Sequence, residues 1–450
     1  ANGFRVLLAR SAATTPNLSW AVKQQGAQGA FIITASHNPA EYNGFKLKAN
    51  FGGSVPPLDT ADIERRLALQ QVVIKEGGRP VEFFDPKNAY LAHLQRLVDI
   101  EVLRAGLMPR RGATSKLHWP DLLTIVDSMH GAGAGYMSLI FGYPRPLIDL
   151  APPQFLAEIR TQRDPLFGGT HPEPIRSNLG MLMDIVKREA NRYPMAMGIA
   201  FDGDGDRIGA IDGSGEFINS HQILALLLRH LVETKGWSGG VVKTFSTSRL
   251  VEKLARCYGL PVYEVPIGFK YICDLMLRED ILIGGEESGG IGIKNHLPER
   301  DGILCGLLLM EIASMRGKSL KAQVNELHDK FGPAYYDRFD LRTTDRSIIS
   351  EKLKKLEESP PLGIDGVRVT EVQTLDGVKL LFADEGWLLF RASGTEPLLR
   401  VYAEAAEPER VRRLLRFGRD FAKGVAMPQE TEQASELSYN SGGSLPASGQ

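Results

Sequence analysis

The chain has 450 residues, 43% of them apolar and 24% charged, which gives ample material for several cores and excludes wholesale disorder. Lys plus Arg total 53 and Asp plus Glu 54, so a net charge of -1 leaves no global basic field to hold nucleic acid or an anionic membrane. Length alone predicts about three domains. Three cysteines, Cys257, Cys273 and Cys305, are odd in number and lack metal-ligand spacing; they exclude a disulfide scaffold and fit a reducing cytoplasm.

In chain order, the sequence opens on Gly3-Phe-Arg-Val-Leu-Leu8 with no charged-then-apolar leader, so no signal peptide is read. Thr15 followed by Pro16 starts a helix that Gly26 can end. Apolar runs bounded by turn residues predict strands at Ala30–Ile33, Leu122–Val126, Met195–Phe201, Val241–Phe245, Ile281–Ile283 and Trp387–Phe390. The polar stretch Pro109–Pro120 reads as a connection. Ser220 precedes an apolar-striped helix reaching to Thr234. Thr247 precedes another, with Leu250, Val251, Leu254 and Tyr258 on one face and Gly259 at its end. The run Ile303–Met310 falls well short of the about 20 residues that a bilayer demands. Gly332-Pro333 breaks a helix, and a final helix spans Pro408–Lys423. Its Arg410, Arg412, Arg413, Arg416 and Arg419 make either a solvated basic face or an anion-binding one. From Met427 onward the Ser-, Gly-, Gln- and Glu-rich sequence predicts a disordered tail. Alternating strands and helices up to Gly332 predict an α/β architecture with largely parallel sheets; the last segment reads as α+β.

Four polar loops each follow an apolar run directly, where open α/β sheets bind ligands. Thr34-Ala-Ser36-His37-Asn-Pro39 sets a hydroxyl beside an imidazole. Neighbouring residues in a turn seldom face each other, and no G-x-S-x-G elbow surrounds Ser36, so a nucleophile activated from elsewhere is the chemical reading. An Asn-Pro turn with capping hydroxyls is the structural one. Asp202-Gly-Asp204-Gly-Asp206-Arg207 spaces carboxylates at i, i+2 and i+4. Hard oxygens so placed suit Mg²⁺ or Ca²⁺. An EF-hand would need Gly and Glu where Arg207 and Gly213 stand. Gly284-Gly-Glu286-Glu287-Ser288-Gly-Gly290 offers carboxylates and a hydroxyl to sugar hydroxyls, or is a plain glycine-rich turn. Arg391-Ala-Ser393-Gly394-Thr395-Glu-Pro397 makes a phosphate cradle or a polar turn, without the Lys of a P-loop. Gly131-Ala-Gly-Ala-Gly135 imitates a dinucleotide fingerprint, but Tyr136 stands at the third glycine position.

These loops, in this order, resemble the α-D-phosphohexomutase family of phosphoglucomutases and phosphomannomutases. Asp127–Gly131, Phe167–Pro174 and Gly268-Phe-Lys270 add to the likeness, which covers roughly residues 4 to 424. The resemblance implies three related α/β domains with mixed, mostly parallel sheets and a C-terminal α+β domain around a central cleft. Expected boundaries are 1–104 for the phosphoserine domain, 105–213 for the metal-binding domain, 214–331 for the sugar-binding domain and 332–425 for the phosphate-binding domain, with 426–450 as the tail. Family members carry a further N-terminal stretch, so the first domain is expected to lack its start. The implied activity is reversible phosphoryl transfer between C1 and C6 of a hexose, through a phosphoserine and a hexose 1,6-bisphosphate that also primes the enzyme. By position, Ser36 looks like the phosphoserine. Asp202, Asp204 and Asp206 look like Mg²⁺ ligands, with a phosphoserine oxygen as a further one. Glu286 and Ser288, with Gly268 nearby, resemble the sugar readers. Arg391, Ser393, Gly394 and Thr395 resemble the clamp for the phosphate not being transferred. Lys270 and His37 are implied as acid–base groups, and Lys46 and Arg207 as charge stabilisers.

Phosphoglucosamine mutases usually carry Gln and a final His in the third loop, where Glu287 and Gly290 stand here. The resemblance therefore favours glucose phosphates, with mannose phosphates second and a non-catalytic sugar-phosphate binder or a phosphoglucosamine mutase as alternatives. His296, in Asn295–Gly302, either shapes the site or anchors its loop. The expected partners are small hexose phosphates, and the expected state is a cytoplasmic monomer or homodimer.

Overall fold

The computed structural model describes residues 3–69, 80–107, 110–111, 117–118, 122–143, 156–193, 195–342, 346–393 and 398–423. The expected tail and most of the Pro109–Pro120 connection lie outside them. The chain divides between Phe331 and Gly332 into two compact units. No helix among the described residues is long and apolar enough to cross a membrane.

The first unit carries two larger mixed sheets. One runs in the order Phe217–Ile218, Ile208–Asp212, Met197–Phe201, Thr124–Asp127, Leu156–Ile159, parallel among the last three and antiparallel elsewhere. The other runs Val262–Val265, Gly240–Thr244, Ile281–Gly285, Ile291–Ile293, with only the final pair antiparallel. Thr124–Asp127, Met197–Phe201, Gly240–Thr244 and Ile281–Gly285 are buried throughout. Strands covered on both faces read as continuous apolar runs rather than alternating ones, which is why these were visible in the sequence. Helix Gly302–Arg316 is buried without a break from Gly302 to Ala313, so its all-round apolar character marks a core helix.

Three N-caps sit one residue away from where the sequence places them. Thr14 caps helix Thr15–Gln24 by accepting from the Asn17 N–H. Asn219 and Gln222 form a reciprocal capping box on Ser220–Glu233, and Ser248 caps Arg249–Cys257.

The hairpin of Gly29–Ile33 and Phe45–Ala49 has two unlike faces. Ile32 pairs with Lys46 and Ala30 with Lys48 on one face; Ile33 pairs with Phe45 and Phe31 with Leu47 on the other. The lysine face is the inward one: Lys48 is buried, whereas Phe31 and Ile33 are 79% and 71% exposed.

The second unit is a six-stranded antiparallel sheet in the order Tyr335–Arg342, Leu398–Ala405, Trp387–Ala392, Val378–Phe382, Val367–Gln373, Gly363–Ile364. Helices Arg346–Glu358 and Pro408–Lys423 complete it. Leu414, Leu415 and Val411 of the second helix join a core with Phe390, Val401 and Leu380. Arg412, Arg416 and Arg419 are exposed. Arg410 is neither solvated nor free for an anion. It is buried, donates to the Ile364 carbonyl at 2.9 Å and to Asp384 at 3.2 Å, and stacks over Phe382.

Leu307 lies fully buried in the core helix. Leu307→Ala is expected to lower the unfolding free energy of this unit by about 2–5 kcal/mol, through lost transfer energy and the cavity left behind. Denaturant titration of the two proteins measures it.

Candidate functional site

The buried strand Met197–Phe201 runs straight into Asp202–Arg207, and Ile208–Asp212 carries the chain back. Gly205 takes φ +73°, and a Cβ at Gly203 would meet the Ser36 carbonyl at 2.3 Å, so both glycines are required by the turn and its packing. Asp202, Asp204 and Asp206 are all buried, and one oxygen from each lies within 4.8 Å of the others. Asp202 Oδ1 accepts the N–H groups of Asp206 and Arg207 at 2.9 and 3.0 Å, which closes the loop on itself.

Cations surround this cluster. Lys46 Nζ donates to Asp204 at 2.6 Å and Asp206 at 2.7 Å, and Arg300 Nη2 reaches Asp206 at 2.6 Å. Arg207 Nε lies 3.9 Å from Asp202. Burial, with Asp206 and Asp204 adding to it, pushes the Asp202 carboxyl well above its usual range. Burial acts the same way on Asp206, but Arg300, Lys46 and Arg207 outweigh it and hold that carboxyl far below. Burial opposes the charge on Lys46, yet Asp206 and Asp204 raise its pKa. Asp206 Oδ1 is buried with no hydrogen-bond partner among the described residues. Three hard carboxylate donors in contact, one with an unused buried oxygen, fit a Mg²⁺ ion.

Ser36 faces the same cluster. Its φ of +55° is left-handed backbone, costing roughly 1–2 kcal/mol for a residue with a side chain. Its N–H donates to Thr34 Oγ1 at 2.8 Å, and its hydroxyl lies 3.4 Å from Asp202 Oδ2 and 3.3 Å from Asp204 Oδ1. Thr34 and Thr15 hydroxyls both donate to Asp204 Oδ2, at 3.3 and 2.7 Å. Next in sequence, the His37 ring has no partner on Nδ1 among the described residues. Burial first, then the Arg207 charge, pushes it down to about 2, so the imidazole is neutral and the site disfavours its protonation. Lys270 is exposed, with its Nζ 5.0 Å from the Tyr271 ring, and it makes no hydrogen bond or ion pair with the cluster. Gly268 precedes its helix with φ +136°.

The third loop docks onto the second through backbone. Arg207 and Gly290 form a β-bridge, and the Ile208 N–H donates to the Gly289 carbonyl at 3.1 Å. A Cβ at Gly289, whose φ is +91°, would meet the Ile208 carbonyl at 2.5 Å. Glu286 is buried; burial raises its pKa, and Arg300 opposes that from 3.4 Å. Ser288 is half-buried at the loop tip. Arg300 therefore bridges the acidic loop and the Glu286 loop. Sequence reasoning missed it, since an arginine between Glu299 and Asp301 reads as surface charge. The signal lay in its place between His296 and the helix start at Gly302. His296 anchors that loop: it is buried, with Nε2 2.8 Å from Asp301 and Nδ1 2.9 Å from His93.

In the second unit, Arg391 Nε donates to Asp376 at 3.0 Å and the Ser393 N–H to the Leu398 carbonyl at 2.9 Å. Gly394 and Thr395 lie outside the described residues.

Four family profiles match this chain in order. They are phosphoglucomutase/phosphomannomutase alpha/beta/alpha domain I at residues 1–71, domain II at 112–215, domain III at 219–331 and the C-terminal domain at 348–417. A phosphoglucomutase/phosphomannomutase of Thermococcus kodakarensis is 30% identical, over 90% of this chain and 81% of its own. A phosphoglucosamine mutase of Limosilactobacillus reuteri is 27% identical, over 88% and 78%. The crystal structure of a candidate phosphomannomutase from Thermus thermophilus is 35% identical with a TM-score of 0.77, over 94% and 84%. The chain belongs to the phosphoglucomutase/phosphomannomutase family, the α-D-phosphohexomutases.

Asp206→Asn removes a charge from the cluster and puts an amide on one of its oxygen positions. Calorimetric titration with Mg²⁺ is expected to show affinity weakened by at least about tenfold. An unchanged titration would count against the acidic loop as the metal site.

Proposed function

We propose that this chain is a phosphohexomutase that moves a phosphoryl group between C1 and C6 of a hexose phosphate, with glucose 1-phosphate and glucose 6-phosphate as the preferred pair. Mannose phosphates are the second pair. The observation that carries this reading is Ser36: its hydroxyl, on strained backbone, lies 3.4 and 3.3 Å from two buried carboxylates ringed by Lys46, Arg207 and Arg300. An ordinary turn serine has no reason to be held there.

Ser36 is the phosphoryl carrier in this reading. A sugar hydroxyl attacks phosphorus, the bond to Ser36 Oγ breaks, and the hydroxyl proton passes to a base. His37, next to Ser36 in the chain, is one candidate for that proton, provided that substrate or metal binding lifts its depressed pKa, and Lys270 is the other. Lys46, Arg207 and Arg300 face the charge that spreads over the phosphoryl oxygens, so most of the acceleration is positioning and electrostatics. Mg²⁺ bound by Asp202, Asp204 and Asp206 would supply Lewis-acid neutralisation of the same charge. This first transfer yields a hexose 1,6-bisphosphate, which must turn so that its other phosphate faces Ser36; the reverse step then returns that phosphoryl group to Ser36 Oγ, gives the proton back to the sugar oxygen and leaves the isomeric hexose monophosphate. Arg391, Ser393, Gly394 and Thr395 are proposed to hold whichever phosphate is idle.

Glucose is favoured over glucosamine by the third loop. The Ser246 hydroxyl donates to Glu287 Oε2 at 2.7 Å, so that carboxylate has a partner. A Cβ at Gly290 would lie 2.2 Å from Arg300 Cδ, so a histidine there would displace the arginine.

A coupled assay with glucose 1-phosphate, mannose 1-phosphate and glucosamine 1-phosphate, with and without glucose 1,6-bisphosphate, tests the assignment. Turnover is expected to be highest with the glucose substrate and to rise with the bisphosphate. Ser36→Ala is expected to lose turnover and the added phosphoryl mass while still binding sugar phosphate. Wild-type turnover by that variant would remove Ser36 as the carrier, and phosphate release without isomerisation would point to a phosphatase.

A further inference from the structure

We infer that Glu299, held by Lys48, is a positioning residue that sets Arg300 in the carboxylate cluster. The inference rests on the function proposed above. Lys48 and Glu299 are both buried, 4% and 1% exposed, and Lys48 Nζ donates to Glu299 Oε2. The other oxygen, Oε1, accepts the backbone N–H of Arg300 at 3.0 Å. On the far side of Arg300, Asp301 accepts the Tyr90 hydroxyl at 2.7 Å and the Leu304 N–H at 2.9 Å. The residues at i−1 and i+1 are thus both buried carboxylates anchored on the first 97 residues, and the peptide between them has little freedom. From that fixed backbone the Arg300 side chain passes Gly290, lies 5.6 Å over the Phe269 ring and delivers its guanidinium to Asp206 and Glu286.

Strand geometry links this anchor to the reacting groups. Residues i and i+2 share a face, so Lys46 and Lys48 point the same way from Phe45–Ala49. One reaches the acidic loop directly; the other reaches it through Glu299 and Arg300. A single rigid strand therefore sets two of the cations around the cluster. As a stabilising device a buried ion pair is poor, because desolvation consumes most of the Coulomb gain. Direction is what it supplies: a carboxylate held on one oxygen can hold a peptide with the other.

Lys48→Met alone strands a buried carboxylate and is expected to fold badly, so charge-free pairs make the test. Lys48→Met/Glu299→Gln keeps an acceptor for the Arg300 N–H, whereas Lys48→Met/Glu299→Met removes it at similar shape. The methionine pair is expected to lose kcat by at least about tenfold, the scale of an ångström-sized misplacement. Its KM is expected to shift by less than about threefold, as befits an interaction made in the transition state. The glutamine pair is expected to recover most of the rate. Crystal structures are expected to show Arg300 displaced from Asp206 in the methionine pair alone. Wild-type kcat with Arg300 in place in the folded methionine pair would overturn the inference. So would equal losses in both pairs that track their thermal midpoints. If the wild type shows no mutase turnover but Arg300 still moves in the methionine pair, the functional reading fails and the positioning role stands.

Discussion

Three buried carboxylates within 4.8 Å of one another are the constraint on which the rest of this molecule turns. At an effective dielectric of about 20, each ionised pair at that distance repels by roughly 3–4 kcal/mol. Were all three ionised, the three pairs would total roughly 10 kcal/mol, as large as the whole stability of an ordinary domain. Converging positive charge relieves that repulsion, and so does the proton that the raised pKa of Asp202 favours. Lys46 comes from the hairpin, Arg207 from the loop itself and Arg300 from the segment before the core helix. Two helix N-termini join in: the Thr15 N–H donates to the Asp204 carbonyl and the Gly302 N–H to the Gly205 carbonyl. Most of the tertiary contacts described above serve this one need.

The same convergence gives the site its chemistry. A cluster that demands cations also offers a place where charge on a phosphoryl group would be neutralised, and Ser36 is held at its edge at a cost in backbone strain. The cations are not interchangeable. Arg207 is fixed by sequence adjacency, Lys46 by strand register and Arg300 by carboxylates on either side of it. The Glu286 loop is tied to the acidic loop by a backbone bridge at Gly290, so the residues expected to read the sugar cannot shift without the acidic loop. Family membership then gives this arrangement a reaction class, while the preferred hexose and the individual roles stay with the proposal.

Much of this was legible in the sequence, and the reason is local. Strands buried on both faces are continuous apolar runs, so Met197–Phe201 and Ile281–Gly285 stood out, and with them the loops at their ends. Asp202, Asp204 and Asp206 were visible because alternating glycines and carboxylates have few other uses. Caps slipped by one residue wherever two hydroxyl or amide residues were adjacent, as at Thr14-Thr15, Asn219-Ser220 and Thr247-Ser248. Arg410 was misread as surface charge because nothing nearby in the chain shows that Asp384 and the Ile364 carbonyl would close over it.

Loop chemistry, core strands and family are each written in a short stretch with its own spacing, so the order of residues along the chain suffices to read them. Which charges meet is settled only when the chain folds. Lys46 lies 158 positions from Asp204, and Lys48 lies 251 positions from Glu299. No local pattern encodes such a pairing; it follows from how the strands stack. The hairpin shows the point most plainly, since Ala30–Ile33 is apolar throughout and marks neither of its faces as the inward one. The fold turns the lysines inward, where Lys46 meets Asp204 and Asp206 and Lys48 meets Glu299.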